Sequence, residues 1–176
     1  ITCLISPCSS QRYGDQYNRS WSINNFAALI KYLIKLENLQ IIMTGGNSPP
    51  EKVYSKEFDA LFGNNILNLI GKTSIREMAA LIKHSNLIIS PDSGPAHIAT
   101  IMGKPVIGLY AMSNPKRTGP YNSDEWLINK YDQALKVFMD KSPTEVKFGQ
   151  KIKQPEAMDL IETRDVIEKV ERLIKH

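Results

Sequence analysis

The chain has 176 residues, 42% apolar and 23% charged, which is enough apolar mass for one core and the length of one domain. A formal charge of +4 suits an anionic ligand, yet the 22 Lys and Arg residues are scattered, with no basic run interleaved with aromatics, which excludes a nucleic-acid groove as the leading expectation. Cys3 and Cys8 are too close to the N-terminus to staple a fold and lack zinc-site spacing, and no apolar stretch approaches the roughly 18 residues of a membrane span, so the sequence predicts no disulfide, no metal and no transmembrane segment, in a reducing, cytoplasmic setting.

Strand and helix patterns alternate along the chain. Thr2 to Ser6 reads as a buried strand, and Trp21 to Leu36 as a helix with Trp21, Phe26, Leu29, Ile30, Leu33 and Ile34 at helical spacing. Leu39 to Met43 is a second strand, broken at Thr44-Gly45-Gly46. A helix from Pro50 to Leu61 follows, then a short strand around Ile66 to Leu69. Ser74 with Glu77 three residues on predicts a capped helix from Ser74 to Lys83. Leu87 to Ile89 is the fourth strand, Pro95 to Met102 a helix ending at Gly103, and Lys104 to Tyr110 the fifth strand. After a loop with Pro115, Gly119 and Pro120 comes an edge strand at Glu125 to Asn129. Lys141 to Gln154 reads as a polar surface loop, and Thr163 to Ile174 as an amphipathic closing helix. The rhythm predicts a Rossmann-like parallel sheet of about six strands in the order 3-2-1-4-5-6 with helices on both faces.

The most informative stretch runs from Ser90 to Ala99, where an apolar strand stops and a helix begins. Asp92 or Ser93 suits the cap, Gly94 admits close approach, and Pro95 suits a first helical position, where a missing N–H costs nothing. Such a helix start, beyond the carboxyl end of a strand, favours an anionic ligand. Other chemistries lack their residues. Gly71-Lys72-Thr73 resembles the end of a P-loop, but Ile66 stands where its first glycine belongs. Gly45-Gly46-Asn47 does not complete a dinucleotide fingerprint. Ser93 lacks the hydrolase elbow, with only His97 and His176 after it. A Ser hydrolase would have to react at Ser93 with an organophosphate probe.

On these residues the chain resembles bacterial heptosyltransferases, the glycosyltransferase family nine enzymes. The likeness is carried by Asp92-Ser93-Gly94-Pro95-Ala96-His97, Gly103-Lys104-Pro105-Val106 and Tyr110 through Asn114-Pro115 to Gly119-Pro120-Tyr121. Ser6-Pro7-Cys8-Ser9 resembles the family's phosphate-side loop, Arg19-Ser20-Trp21 its basic-x-Trp element, and Leu69 to Ser74 its nucleotide loop. The resemblance implies a GT-B fold of two Rossmann-like domains, of which 1–176 is the C-terminal, donor-binding one. It implies transfer of heptose from ADP-heptose to the lipopolysaccharide inner core, by an inverting, metal-independent enzyme with the ADP-sugar as substrate and no cofactor. The chain begins at Ile1 inside a strand-like run, so the expectation is a fragment whose N-terminal acceptor domain, holding the catalytic base, lies elsewhere. The isolated domain should bind donor without transferring it, and the full-length enzyme should be cytoplasmic, at the periphery of the inner membrane.

Within that resemblance Arg19 and Asp92 are the catalytic candidates, the cation for the departing diphosphate and the carboxylate for the sugar hydroxyls. Ser9, Ser93, Gly94, Pro95, Ala96 and His97 line the diphosphate, Gly71, Lys72 and Thr73 border the adenine, and Glu51 reaches the ribose hydroxyls. Each has a plainer competitor: Asp92 as a helix cap, His97 as a packed histidine, Arg19 as solvated, Glu51 as a surface residue. Lys116 and Arg117 either meet acceptor phosphates or keep a loop soluble, and Trp21 reads as core. Three features depart from the family pattern. Cys8 stands where Gly is usual, shifting phosphate work to Ser9 or Ser10; Gln11 to Asn18 is long; and Ser22 replaces a Pro. These leave open another nucleotide-activated sugar as donor, or a non-catalytic sugar-nucleotide-binding module.

Overall fold

A computed structural model describes residues 1–9, 19–121 and 123–175. Its elements are β1 (Thr2–Ile5), α1 (Ile23–Leu33), β2 (Gln40–Met43), α2 (Pro49–Phe62), β3 (Leu67–Asn68), α3 (Ile75–His84), β4 (Leu87–Pro91), α4 (Gly94–Ile101), β5 (Val106–Tyr110), α5 (Pro115–Thr118), β6 (Ile128–Asn129), α6 (Tyr131–Met139) and α7 (Thr163–Ile174). The strands form one sheet in the order β3-β2-β1-β4-β5-β6, as the alternation predicts, and all five pairings are parallel. The central pair is β1 with β4, Ile5 lying opposite Ile89. There the chain's winding reverses, which opens a crevice between the strand ends.

The two-residue period of the strands sorts the core into two layers. Cys3 and Ile5 of β1, Ile41 and Met43 of β2 and Leu87 and Ile89 of β4 meet Phe26, Phe58, Leu135 and Val166 from α1, α2, α6 and α7. Leu4, Ile88 and Val106 point the other way, onto Ile82 of α3 and Ala96 and Ala99 of α4. The first layer is much the larger. Edge-to-face rings thicken it, with Phe26 at 5.1 Å from Trp21 and 6.3 Å from Phe58.

Local chemistry explains most element ends. Ser74 and Glu77 form the expected reciprocal cap on α3, with Glu77 accepting from the Ser74 amide at 2.7 Å. Those bonds hold the Glu77 carboxyl below its usual pKa, the backbone bond being the larger cause. Helix α1 begins later than its apolar pattern suggests, because Ser22 is its N-cap and accepts from the Asn25 amide at 3.2 Å. That is the role of the serine that replaces the family's proline. Trp21, just before it, is fully buried, as the core reading holds.

Two expectations need correction. The edge strand drawn over Glu125 to Asn129 is only Ile128–Asn129, since Asp124–Trp126 winds into a 3₁₀ turn. The sequence reading leaves Tyr131–Met139 without an element, but it is α6, with Tyr131, Ala134 and Leu135 buried at helical spacing. Asn129 starts it by accepting from the Tyr131 amide at 3.0 Å. Ser10, the Gln11 to Asn18 loop and His176 lie outside the described residues.

Candidate functional site

Asp92 follows the last residue of β4 at the carboxyl edge, 6% exposed. Instead of capping α4, its Oδ2 gathers three side chains. Ser113 Oγ donates at 2.7 Å, Thr118 Oγ1 at 3.1 Å, and the Arg19 guanidinium forms an ion pair with it. Ser113 and Thr118 come from the segment after β5, which reaches Asp92 because β5 lies beside β4. The sequence reading did not single these two out. Their only local signal is a hydroxyl on each side of Asn114-Pro115, in the stretch that carries the family likeness.

Arg19 is held from behind. Its amide donates to Ser9 Oγ at 3.0 Å, while the Ser9 amide donates to Ser20 Oγ at 3.1 Å, so the loop after β1 is clasped to the approach of α1. Two residues on, the Trp21 indole N–H donates to the Ile161 carbonyl at 3.0 Å and the Trp21 carbonyl accepts from Tyr54 Oη at 2.6 Å. Cys8 in the same loop is buried, and its φ is not positive. The left-handed backbone that a glycine would permit there is therefore not used. Burial pushes the Cys8 thiol up to about 12, against a lowering hydrogen bond with Ser20 and with a further raising contribution from the Glu51 charge.

Ser93 occupies the N-cap of α4, but its hydroxyl lies 2.7 Å from Ser90 Oγ and makes no side-chain cap bond. The Ala96 amide is used within the first turn, donating to the Ser93 carbonyl at 3.2 Å, and Pro95 has none to give. The amides at the mouth of the helix are those of Ser93 and Gly94. A Cβ added to Gly94 would meet nothing within 4 Å, so the approach to them is open. His97 is exposed, one turn from Gly94 on the same side of the helix, and not packed in the core.

Glu51 is 3% exposed, neither a surface residue nor a free arm. Its Oε1 accepts from the Gly46 amide at 2.6 Å, and its Oε2 from the Ser48 amide at 2.9 Å and Ser48 Oγ at 2.5 Å. The carboxylate thus organises the turn after β2. Past the neighbouring strand β3, Gly71 takes φ +72 and its amide donates to the Gly45 carbonyl at 3.1 Å, tying the loop after β3 to that turn. Lys72 folds back, its Nζ donating to the Asn68 carbonyl at 2.9 Å. A cavity of about 310 Å³ opens between Gly46, Asn47, Lys52, Ser55 and Gly71. A second, apolar one of about 330 Å³ lies on the far side of the loop against Leu69, Thr73 and Leu81. The Thr73 hydroxyl is buried without a hydrogen-bond partner among the described residues, as is that of Thr44 at the end of β2. Among the described residues no group of three or more His, Cys, Asp or Glu could hold a metal ion, and no helix is long and apolar enough to cross a membrane.

Residues 2–146 match glycosyltransferase family 9 (heptosyltransferase). The chain is 35% identical over 170 residues to the lipopolysaccharide core heptosyltransferase OpsX of Haemophilus influenzae, an alignment covering 97% of this chain and 47% of that protein. It is 30% identical over 129 residues to lipopolysaccharide heptosyltransferase 2 of Salmonella typhimurium, covering 66% of this chain and 33% of the relative. Among solved structures, the ADP-heptose heptosyltransferase II of E. coli superposes with a TM-score of 0.69 at 21% identity, over 98% of this chain and 46% of that one. The E. coli heptosyltransferase WaaC with ADP gives 0.67 at 15% identity, over 98% and 44%. The two structures speak to the fold alone. This chain spans half or less of the length of each of these relatives. With the family match across most of its length and the Asp92 to His97 motif at the switch point of the sheet, the chain belongs to glycosyltransferase family 9.

Proposed function

We propose that this chain binds an ADP-activated heptose and forms, as one domain over 1–176, the donor half of an enzyme that moves the heptose onto the lipopolysaccharide inner core. The observation that carries this reading is the order of loops along the carboxyl edge: Glu51 and its turn follow β2, Ser9 and Arg19 follow β1, and Asp92 follows β4, on adjacent strands. Strands lie about 4.8 Å apart, so β2 to β4 covers about 10 Å, the reach of a ribose, a diphosphate and the start of a sugar laid across the edge. The nucleoside belongs at β2 and β3, the diphosphate at β1, and the sugar at β4.

Each residue then has chemistry to do. Gly71, Lys72 and Thr73 border the adenine. Glu51 has three of its roughly four acceptor positions filled by Gly46 and Ser48, which leaves one for a ribose hydroxyl. Ser9, whose hydroxyl oxygen accepts from Arg19, keeps its proton to donate to a phosphate. The Ser93 and Gly94 amides, with Pro95 and Ala96 shaping the turn and His97 beside it, meet the diphosphate at the positive end of α4. Arg19 neutralises the charge that grows on ADP as the anomeric bond breaks, and Asp92 orients the sugar through its hydroxyls.

The nucleophile is a hydroxyl of the acceptor, attacking the face opposite the departing diphosphate, so the anomeric centre inverts. The leaving-group charge is met by Arg19 and the helix amides, with no divalent ion needed. The acceptor and the base that takes its proton belong to an N-terminal half, so this chain alone binds donor without turnover. We place the enzyme in the cytoplasm, at the periphery of the inner membrane.

Calorimetric titration of ADP, UDP and GDP in the presence of a chelator is the direct test. ADP should bind weakly but measurably and more tightly than the other two. Asp92→Ala should weaken an ADP-sugar more than ADP. Preference for UDP or GDP, or no nucleotide binding at all, overturns the reading.

A further inference from the structure

Beside the Asp92 cluster, one spot on the surface combines an exposed ring with a group of cations. The Gln150 amide donates to the Lys147 carbonyl at 2.8 Å and closes a tight turn with Phe148 and Gly149 at its tip. Phe148 is 62% exposed, whereas Phe26, Phe58 and Phe62 are buried and Phe138 packs half-buried against the core. The Arg117 guanidinium lies over Gly149, where an added Cβ would come 2.8 Å from Nη1, so ring and guanidinium sit on adjoining residues. Lys147 and Lys116 flank them, both exposed. The nearest acid in the chain, Glu145, is turned to the Ser142 amide and hydroxyl, each at 2.7 Å.

The turn is fastened on its C-terminal side to the segment after β5 and to α6. The Ile152 amide donates to the Met112 carbonyl at 2.9 Å, and Tyr131 Oη donates to the Gln150 carbonyl at 2.7 Å. Arg117 precedes Thr118, whose hydroxyl is bonded to Asp92. Cations, ring and donor site therefore share one edge of the molecule.

We propose, resting on the donor-site reading above, that Phe148, Lys147, Arg117 and Lys116 dock this edge onto an anionic lipid bilayer, the ring entering the headgroup boundary and the cations meeting lipid phosphates. A single ring among basic groups on a convex tip suits an interface with headgroups on one side and acyl chains below. A protein partner would call for a wider apolar patch, and a nucleic acid for successive rings along a basic groove. The placement also serves the reaction, because an acceptor sugar carried on a lipid must meet the donor at Asp92 close to the bilayer surface.

The test is co-sedimentation of the 176-residue chain with vesicles of phosphatidylethanolamine and phosphatidylglycerol, against vesicles of phosphatidylcholine alone. Binding is expected to the anionic vesicles only and to fall with salt. Lys147→Gln and Lys116→Gln should each lower it about fivefold, and Phe148→Ser about tenfold. Phe148→Trp should add blue-shifted emission when anionic vesicles are present. ADP titration of the same samples separates the two readings: Phe148→Ser and Lys147→Gln should bind ADP as the unaltered chain does. If ADP binds and the anionic vesicles do not, docking fails and the donor reading stands. If vesicles bind and ADP does not, the donor reading fails. Equal binding to both vesicle types, binding indifferent to Phe148→Ser, or preference for a single-stranded RNA oligomer over vesicles also overturns the bilayer as occupant.

Discussion

The Glu51 carboxylate fills the space that a side chain on Gly46 would need: a Cβ there would come 2.9 Å from Oε2, while the Gly46 amide itself donates to Oε1 at 2.6 Å. Gly46→Ala should cost about 1–3 kcal/mol, as overpacking does. Glu51→Ala should cost a similar amount by leaving two amides without their acceptor. Combined, the two changes should fall well short of additive, since removing the carboxylate makes room for the methyl. Urea midpoints of the four proteins measure this. Simple additivity would show that Gly46 is required for some other reason.

The Arg19–Asp92 ion pair is mostly buried, with side-chain exposures of 16% and 8%. Asp92→Ala leaves a guanidinium in poor solvent and should destabilise by about 3 kcal/mol, whereas Arg19→Ala together with Asp92→Ala should recover part of that loss. Thermal melts of both variants decide it. A double variant less stable than Asp92→Ala would mean that the remaining contacts of Arg19 outweigh the cost of burying its charge.

Raised thiols give a pH dependence with a defined sign. The neutral Cys8 is favoured by burial, so its folded pKa of about 12 lies above the ordinary 9.0. Below 9.0 both folded and unfolded chains carry the thiol. From there to about 12 only the unfolded chain ionises, and stability falls. Cys3, also pushed up by burial, acts in the same direction. Cys8→Ala should make the alkaline decline of the urea midpoint shallower. An unchanged slope would show that the thiol is not the group responsible.

In the complete enzyme, Arg19→Ala should lower kcat more than it raises the donor KM, because the interaction strengthens as charge develops on the leaving diphosphate. The loss should be about 3 kcal/mol, roughly a hundredfold, and Arg19→Lys should restore part of it by supplying charge without the forked geometry. Steady-state transfer at saturating acceptor gives the split. An effect on KM alone would make Arg19 a nucleotide-binding residue and nothing more.

Much of this was legible because it is local or periodic. The cap of Ser74 and Glu77, the buried Trp21 and the strand order follow from spacing and connectivity. Helix α6 is equally readable from the helical spacing of Tyr131, Ala134, Leu135 and Phe138. Ser113 and Thr118 were not readable, since their meeting with Asp92 depends on β5 lying beside β4 and on how the following segment turns back. Nor was the state of Glu51, whose partners are mostly backbone amides and carry no residue-type signal. Of the two readings of His97, as a site residue or as a packed histidine, the packed one fails because its face of α4 turns outward.

The unequal thickness of the two core layers bears on how the molecule breathes. Helix α4 rests on the thin side, where the described residues give six buried side chains with Met78, Leu81, Ile98 and Met102 packed half-buried against them, while α1, α2, α6 and α7 are sunk in the thick one. The helix that presents amides to the anion is thus among the least insulated parts of the fold, and local opening there needs little of the core to come apart. Hydrogen exchange of the nucleotide-free chain should be fastest, among its helices of eight residues or more, in α3 and α4. A ligand seated on Ser93 and Gly94 would slow exchange in α4 while leaving the amides of α1 and α7 unchanged.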